Sequence, residues 1–244
     1  MDIYIGTCNN PDETKAIAEV QPEHVFVSYY YFQNKNLRDF VKELGYKPKI
    51  ILDCGAFSSG KNSRKRINYY GYIDYVKKNY DYIHRFISYD YISQPQDGKW
   101  QDYFAELTGV RYYSMKDYGL YNQIPVFHIG EPIEWLEIYY DMFLTDYICL
   151  GSTVGIKSKK FIKNWVNVIT EKYPWMDYHL LGSTSDHIIY GCPRLTSCDS
   201  TTWTYAARFG DKNKRYEKLV HSLKKTLGLI EKETNKISLW EGMI

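Results

Sequence analysis

The sequence predicts one α/β domain over residues 1–244: a single (β/α)8 barrel of the TIM type, closed by a C-terminal helix. Three observations predict it. The chain has 244 residues, near the roughly 250 typical of such a barrel. Eight short apolar runs recur along it, and stretches with apolar residues at helical spacing lie between several of them, as repeated βα units require. An open, doubly wound sheet is the alternative, because periodicity alone does not show whether a sheet closes on itself.

Taken in order, the strand-like runs are Ile3 to Gly6, Val25 to Tyr29, Ile50 to Asp53, Ile83 to Tyr89, Ile124 to His128, Tyr147 to Gly151, Tyr178 to Gly182 and Leu195 to Asp199. Helical spacing is read over Leu37 to Leu44, Tyr69 to Lys78, Pro132 to Phe143 and Lys159 to Lys172, with Pro132 suited to a first turn. Lys212 to Lys236 reads as a long amphipathic helix. No linker, low-complexity block or repeat marks an internal boundary.

Composition narrows the function classes. Hydrophobic residues at 44% and charged residues at 25% fit a globular chain with a sizeable core. The 26 tyrosines supply rings that pack, or stack on bases, while their hydroxyls stay polar. A net charge of +2 announces no polyanionic partner, so such a partner has to be argued from local clusters. These are Lys61, Arg64, Lys65 and Arg66; Lys157, Lys159, Lys160 and Lys163; and Lys212, Lys214, Arg215 and Lys218. A solvated face is the ordinary reading of each. The five cysteines form no C-x2-C pair, which argues against structural zinc and a disulfide framework. Neither a secretory leader nor a membrane-length apolar run is read, so a cytoplasmic location is expected. GxGxxG, P-loop and GxSxG elements are missing, against dinucleotide binding, nucleotide hydrolysis and α/β-hydrolase chemistry.

In a barrel the chemistry collects at the carboxyl ends of the strands. Those ends are polar here: Asp53, Asp90, His128 with Glu131, and Asp199. Any one aspartate at such a junction is as readily a helix cap. Convergence of three with a histidine points instead to one reactive mouth. Glycines at or beyond strand ends, Gly151 among them, suit both tight turns and close approach of a flat ligand.

The residues also resemble a family. D-C-G-A-F-S (Asp53 to Ser58) is similar to the D-S-G-G-F-Q of tRNA-guanine transglycosylases, and S-Y-D-Y-I-S-Q-P (Ser88 to Pro95) to their F-D-E-C-T-P. L-G-S-T-V-G (Leu150 to Gly155) resembles G-G-L-A-V-G. C-D-S-T-T-W-T-Y-A-A-R-F-G (Cys198 to Gly210) resembles F-D-C-V-L-P-T-R-N-A-R-N-G, with the aspartate, Arg208 and the last glycine in register. The zinc-binding element of that family is missing, His128 replaces a glutamine, and Tyr205 stands where P-T-R has its arginine. The compact pattern looks most like relatives that act on DNA and insert 7-deazaguanines.

The resemblance implies that Asp199 attacks an anomeric carbon and Asp53 handles the proton on the base, while Asp90, His128 and Gly151 hold the base. A flipped base would lie between aromatic side chains such as Phe57, Tyr29, Tyr30, Tyr89 and Trp203. Lys61, Arg64, Lys65, Arg66 and Arg208 would grip the phosphate backbone. The function so implied is cleavage of a nucleobase N-glycosidic bond through an Asp199 adduct and exchange for a 7-deazaguanine. The partners are then nucleic acid, DNA in the first instance, and the free base; no cofactor or metal is called for. The alternatives are a DNA glycosylase that leaves an abasic site, and a non-catalytic barrel that binds nucleic acid.

Overall fold

The computed structural model describes residues 1–61, 67–90, 98–143, 145–154, 156–207 and 214–229. Its strands are β1 (Asp2–Thr7), β2 (His24–Ser28), β3 (Lys49–Asp53), β4 (Arg85–Ile87), β5 (Gln123–Ile124), β6 (Val126–His128), β7 (Tyr147–Gly151), β8 (Asp177–Leu180) and β9 (Ser197–Ser200). Every neighbouring pair is parallel, in the order β5-β4-β3-β2-β1-β9-β8-β7-β6. β5 and β6 are one strand interrupted at Pro125, which has no N–H to give to a ladder. On one side Ile124 O accepts from Ser88 N, and on the other Pro125 O accepts from Cys149 N at 2.9 Å. The same strand thus joins both ends of the sheet, and nine runs make the eight strands of a closed barrel. The open-sheet alternative falls.

Local chemistry sets the helix ends. In α1 (Pro11–Val20), Asn10 Oδ1 accepts from Asp12 N and Pro11 opens the first turn. After the short α2 (Tyr29–Phe32) comes α3 (Leu37–Leu44), capped by Asn36 and stopped by Gly45. α4 (Ala56–Lys61) and α5 (Tyr69–Asn79) follow, then α6 (Gly98–Asp117) and α7 (Glu134–Phe143), which begins two residues after Pro132. α8 (Lys159–Lys172) starts at the Ser158 cap, and α9 (Asp186–Ile189) is a single turn. α10 (Arg215–Thr226) is shorter than the sequence suggests. It ends at Thr226, and Gly228 at φ +70° turns the chain, while the rest of the expected stretch to Lys236 lies outside the described residues. α10 packs against α1 and the 3-10 turn Thr202–Ala207, beside the junction of first and last strands.

Alternation along the strands separates two kinds of core. Ile5, Val25, Val27, Ile50 and Leu52 face outward, under the helices of the first half. Ile148, Leu150, Tyr178 and Leu180 do the same in the second half. Tyr4, Phe26, Ile51, Ile87, Val126, Tyr147 and Cys149 face inward and fill the barrel. Each fully buried side chain of this size contributes about 1.5–3 kcal/mol of transfer free energy. Among the described residues no helix is long and apolar enough to cross a membrane.

Candidate active site

The barrel plug ends below the carboxyl edge of the strands, leaving a cavity of about 580 Å³. Its wall comes from the ends of five adjacent strands: Thr7 and Cys8 at the end of β1, Ser28 and Tyr30 at the end of β2, Asp53 and Phe57 at and beyond the end of β3, Gly182 beyond β8, and Asp199 and Ser200 on β9 with Thr201 and Thr202 just past it. Val154, beyond β7, completes the rim. A wider groove of about 1070 Å³, lined by residues such as Pro11, Lys35 and Tyr216, lies among α1, α3 and α10 on the outer surface.

Asp199 is fixed from behind. Its Oδ1 accepts from Gly182 N at 2.9 Å and lies 3.2 Å from His179 Nε2. Gly182 is needed where it stands: its φ is +74°, and a β-carbon there would sit 2.4 Å from the Val154 side chain. His179 has no exposed surface. Its ring stacks parallel to Phe26 and edge-on to Tyr4, and its Nδ1 meets Ser197 Oγ at 2.7 Å. Ser197 Oγ in turn lies 2.5 Å from the Tyr147 hydroxyl.

Asp53 stands across the cavity, three strands around the barrel from Asp199. Its Oδ2 accepts from Gly55 N at 3.0 Å. Burial pushes its pKa up to about 6; the Ser28 hydroxyl and the Gly55 N–H pull the other way, and the negative charges of Asp199 and Asp90 add to the rise. Ser28 Oγ is buried on the same wall and makes no full hydrogen bond of its own. Asp53 therefore exchanges its proton closer to neutrality than an ordinary aspartate does.

Asp90 lies at the same end of the barrel but not on the cavity wall. It is 7% exposed, its Oδ1 sits 2.9 Å from His128 Nε2, and its N–H donates to Cys54 Sγ. His128 Nδ1 meets Ser152 Oγ at 2.9 Å. Burial works against charge on this imidazole, yet the adjacent Asp90 carboxylate outweighs it and Glu131 adds to the pull, raising the His128 pKa to about 9. An internal ion pair results. Ser152 takes a left-handed φ of +60° to reach it, a conformation that costs a non-glycine residue about 1 kcal/mol or more.

The residues singled out from sequence thus separate into two groups. Asp53, Asp199, Tyr30 and Phe57 share the cavity. Asp90, His128, Gly151, Tyr29 and Trp203 lie behind it. A β-carbon on Gly151 would come within 2.6 Å of His128 Nδ1, so that glycine makes room for the imidazole. Tyr29 packs on Tyr72 and Tyr75, while Tyr89 packs on Tyr69. Trp203 is 1% exposed, and its indole N–H donates to Gly6 O at 2.8 Å. Lys61 ends α4, and Arg64, Lys65, Arg66 and Arg208 lie outside the described residues. Sequence reasoning missed His179, Ser197 and Tyr147. The signal was a histidine on the inward phase of the run Y-H-L-L, opposite an equally polar Ser197. Among the described residues no cluster of three or more His, Cys, Asp or Glu is arranged to hold a metal ion.

No protein-family model and no curated protein matches the sequence. Solved structures do match in shape. A 4-hydroxy-2-oxoglutarate aldolase/2-deydro-3-deoxyphosphogluconate aldolase aligns at 9% identity over 92% of this chain and 93% of its own, with a TM-score of 0.44. An N-acetylneuraminate lyase from Mycoplasma synoviae aligns at 10% identity over 91% of this chain and 75% of its own, with a TM-score of 0.48. The likeness is one of fold. Neither structure is named as a glycosyl transferase or a DNA glycosylase, and the expectation of nucleobase cleavage and exchange in DNA, together with its glycosylase alternative, is corrected accordingly. The geometry runs the same way, since Asp90, His128 and Trp203, three of the side chains that were to hold the base, are buried behind the cavity. What the comparisons leave standing is a TIM-type barrel whose strand-end chemistry has to be read from its own residues.

Proposed function

We propose that this chain is an enzyme that performs general acid–base catalysis on a small hydroxylated carbonyl compound, with Asp199 taking a proton and Asp53 giving one. The observation that carries the reading is the pairing of two unlike carboxyl groups on one hydroxyl-lined cavity. Asp199 is immobilised by two contacts on the same oxygen, while Asp53 has its pKa pushed up to about 6. A proton-transfer group works best with a pKa near the working pH, and two carboxyls whose environments differ divide the acid and base roles between them. The volume of about 580 Å³ suits a ligand of sugar size, and Thr7, Ser28, Ser200, Thr201 and Thr202 offer hydroxyls to its own.

In this scheme Asp199 removes a proton from the carbon next to the carbonyl. The electron pair moves onto the carbonyl oxygen, which takes the proton of Asp53. Returning that proton to Asp53 restores the carbonyl, and reprotonation at carbon completes a hydrogen exchange. The described cavity wall holds no lysine, the residue a Schiff-base route requires, so the reading rests on the carboxyls.

The test needs no prior choice of substrate. Hydroxylated aldehydes and ketones are incubated with the protein in D2O, and loss of carbon-bound proton signals is followed by NMR. Wash-in of deuterium by the wild type, and its loss in Asp199→Asn and Asp53→Asn, is expected. Exchange that persists in Asp199→Asn, or that no compound shows, overturns the proposal.

A further inference from the structure

The Tyr147–Ser197–His179–Asp199 string runs through the barrel interior, from the level of Arg85 to the cavity wall. Its direction follows from counting hydrogens. Tyr147 is 6% exposed, and its phenol has one partner among the described residues, Ser197 Oγ. A buried phenol that donated nowhere would bear the cost of an unmade hydrogen bond, so Tyr147 donates to Ser197. The single hydrogen of Ser197 is then free to go to His179. It lands on Nδ1, which must accept it with a lone pair. The ring hydrogen is left on Nε2, and it points at Asp199 Oδ1.

We propose that His179 is a positioning residue, a neutral imidazole with its hydrogen on Nε2 that acts as a fixed donor and aligns the Asp199 carboxylate with the cavity. The inference rests on Asp199 reacting in that cavity, as proposed above. The string orients and does not relay. Passing a proton up to Asp199 along it would leave a tyrosinate at Tyr147, and burial pushes that phenol far above its ordinary pKa, against the weaker lowering by Ser197 and Arg85. Oδ1 carries both contacts, from His179 and from the Gly182 N–H, so Oδ2 is the oxygen left to act on a ligand. His128 is the internal contrast: its partners Ser152 and Asp90 belong to no such string, and it is charged.

Nitrogen-15 NMR of the imidazoles decides the point on the intact protein, whatever its turnover. The expected spectrum has one buried histidine with a pyridine-type Nδ1 and a pyrrole-type Nε2, assigned by its loss in His179→Gln. Should that variant fail to fold, the assignment comes from the resonance that shifts in Tyr147→Phe, which deletes one hydroxyl from the string. Tyr147→Phe should also lower deuterium exchange by roughly tenfold with ligand affinity unchanged. A hydrogen on Nδ1, or on both nitrogens, overturns the inference and leaves the role of Asp199 intact. Loss of exchange activity in every assay overturns the proposed function and leaves the tautomer result standing.

Discussion

Two His–Asp pairs sit at the same end of this barrel and do different work. His128 and Asp90 approach to 2.9 Å, His179 and Asp199 to 3.2 Å, and all four side chains are nearly or fully buried. The difference lies in what stands on either side. Asp90 is turned away from the cavity and has its charge matched by an imidazolium, whereas Asp199 forms part of the cavity wall. Burial and pairing alone therefore do not identify a reactive carboxylate in this molecule. Access to the cavity, together with a rigid support on the far side, separates the two.

That contrast breaks most sharply on removing a carboxylate. Asp90→Ala strips the partner from a buried cation and should cost about 3 kcal/mol or more at pH 7, whereas Asp199→Ala, which removes the acceptor of the Gly182 N–H and of the His179 ring, should cost about 2 kcal/mol if that ring is neutral as proposed. Equal losses in urea unfolding would mean that the pairs are alike. Next in size is Asp53→Asn. Because the folded protein raises this acid from 3.8 to about 6, it holds the proton more tightly than the unfolded chain does, and native stability falls as pH rises through that interval. The variant escapes the penalty and should be about 3 kcal/mol more stable than wild type at pH 7–8, the gap closing as pH falls towards 4. A gap independent of pH would place the strain elsewhere.

The internal pair has the opposite signature. Its histidine is raised from 6.5 to about 9, so the stabilisation is full below 6.5 and drains away as pH climbs through 9. His128→Gln should remove a loss on the order of 3 kcal/mol across that window, measured by unfolding at several pH values. The smallest contrast is between the two serines. Ser197→Ala abandons both Tyr147 and His179 and should cost about 2 kcal/mol, against about 1 kcal/mol for Ser152→Ala, whose hydroxyl serves His128 alone. A reversed order would show that Ser197 is not the joint of the string.

The strands and the mouth were legible because period-two and period-3.6 patterns are strong where side chains are large and apolar. Leu37 to Leu44 and Lys159 to Lys172 match their helices end to end, and all eight strands lie where the apolar runs placed them. α6 escaped notice because its buried stripe, Ala105, Thr108, Tyr112 and Met115, is partly made of small or polar residues. Asp53 and Asp199 could be picked out as strand-end acids. What the sequence does not encode locally is which way a buried acid turns, and this moved Asp90 and Trp203 from the expected ligand wall to the interior. His179 carried a signal in the phase of its strand but no local sign of its role, since its partners at 197 and 147 come from other strands.

The bond between β1 and β9 sets the order in which this molecule can come into being. Tyr4 is paired with Asp199, and the Trp203 indole reaches Gly6 O across 197 positions of chain. During synthesis from the amino terminus, at about 5–20 residues per second, β1 must wait until Ser197–Ser200 has been made before its second neighbour exists. Until then one flank of β1 is an unpaired edge, and one of the two acids on the cavity is still missing. Only when β9 emerges is the carboxyl edge of the barrel completed, as the stitch that closes the ring.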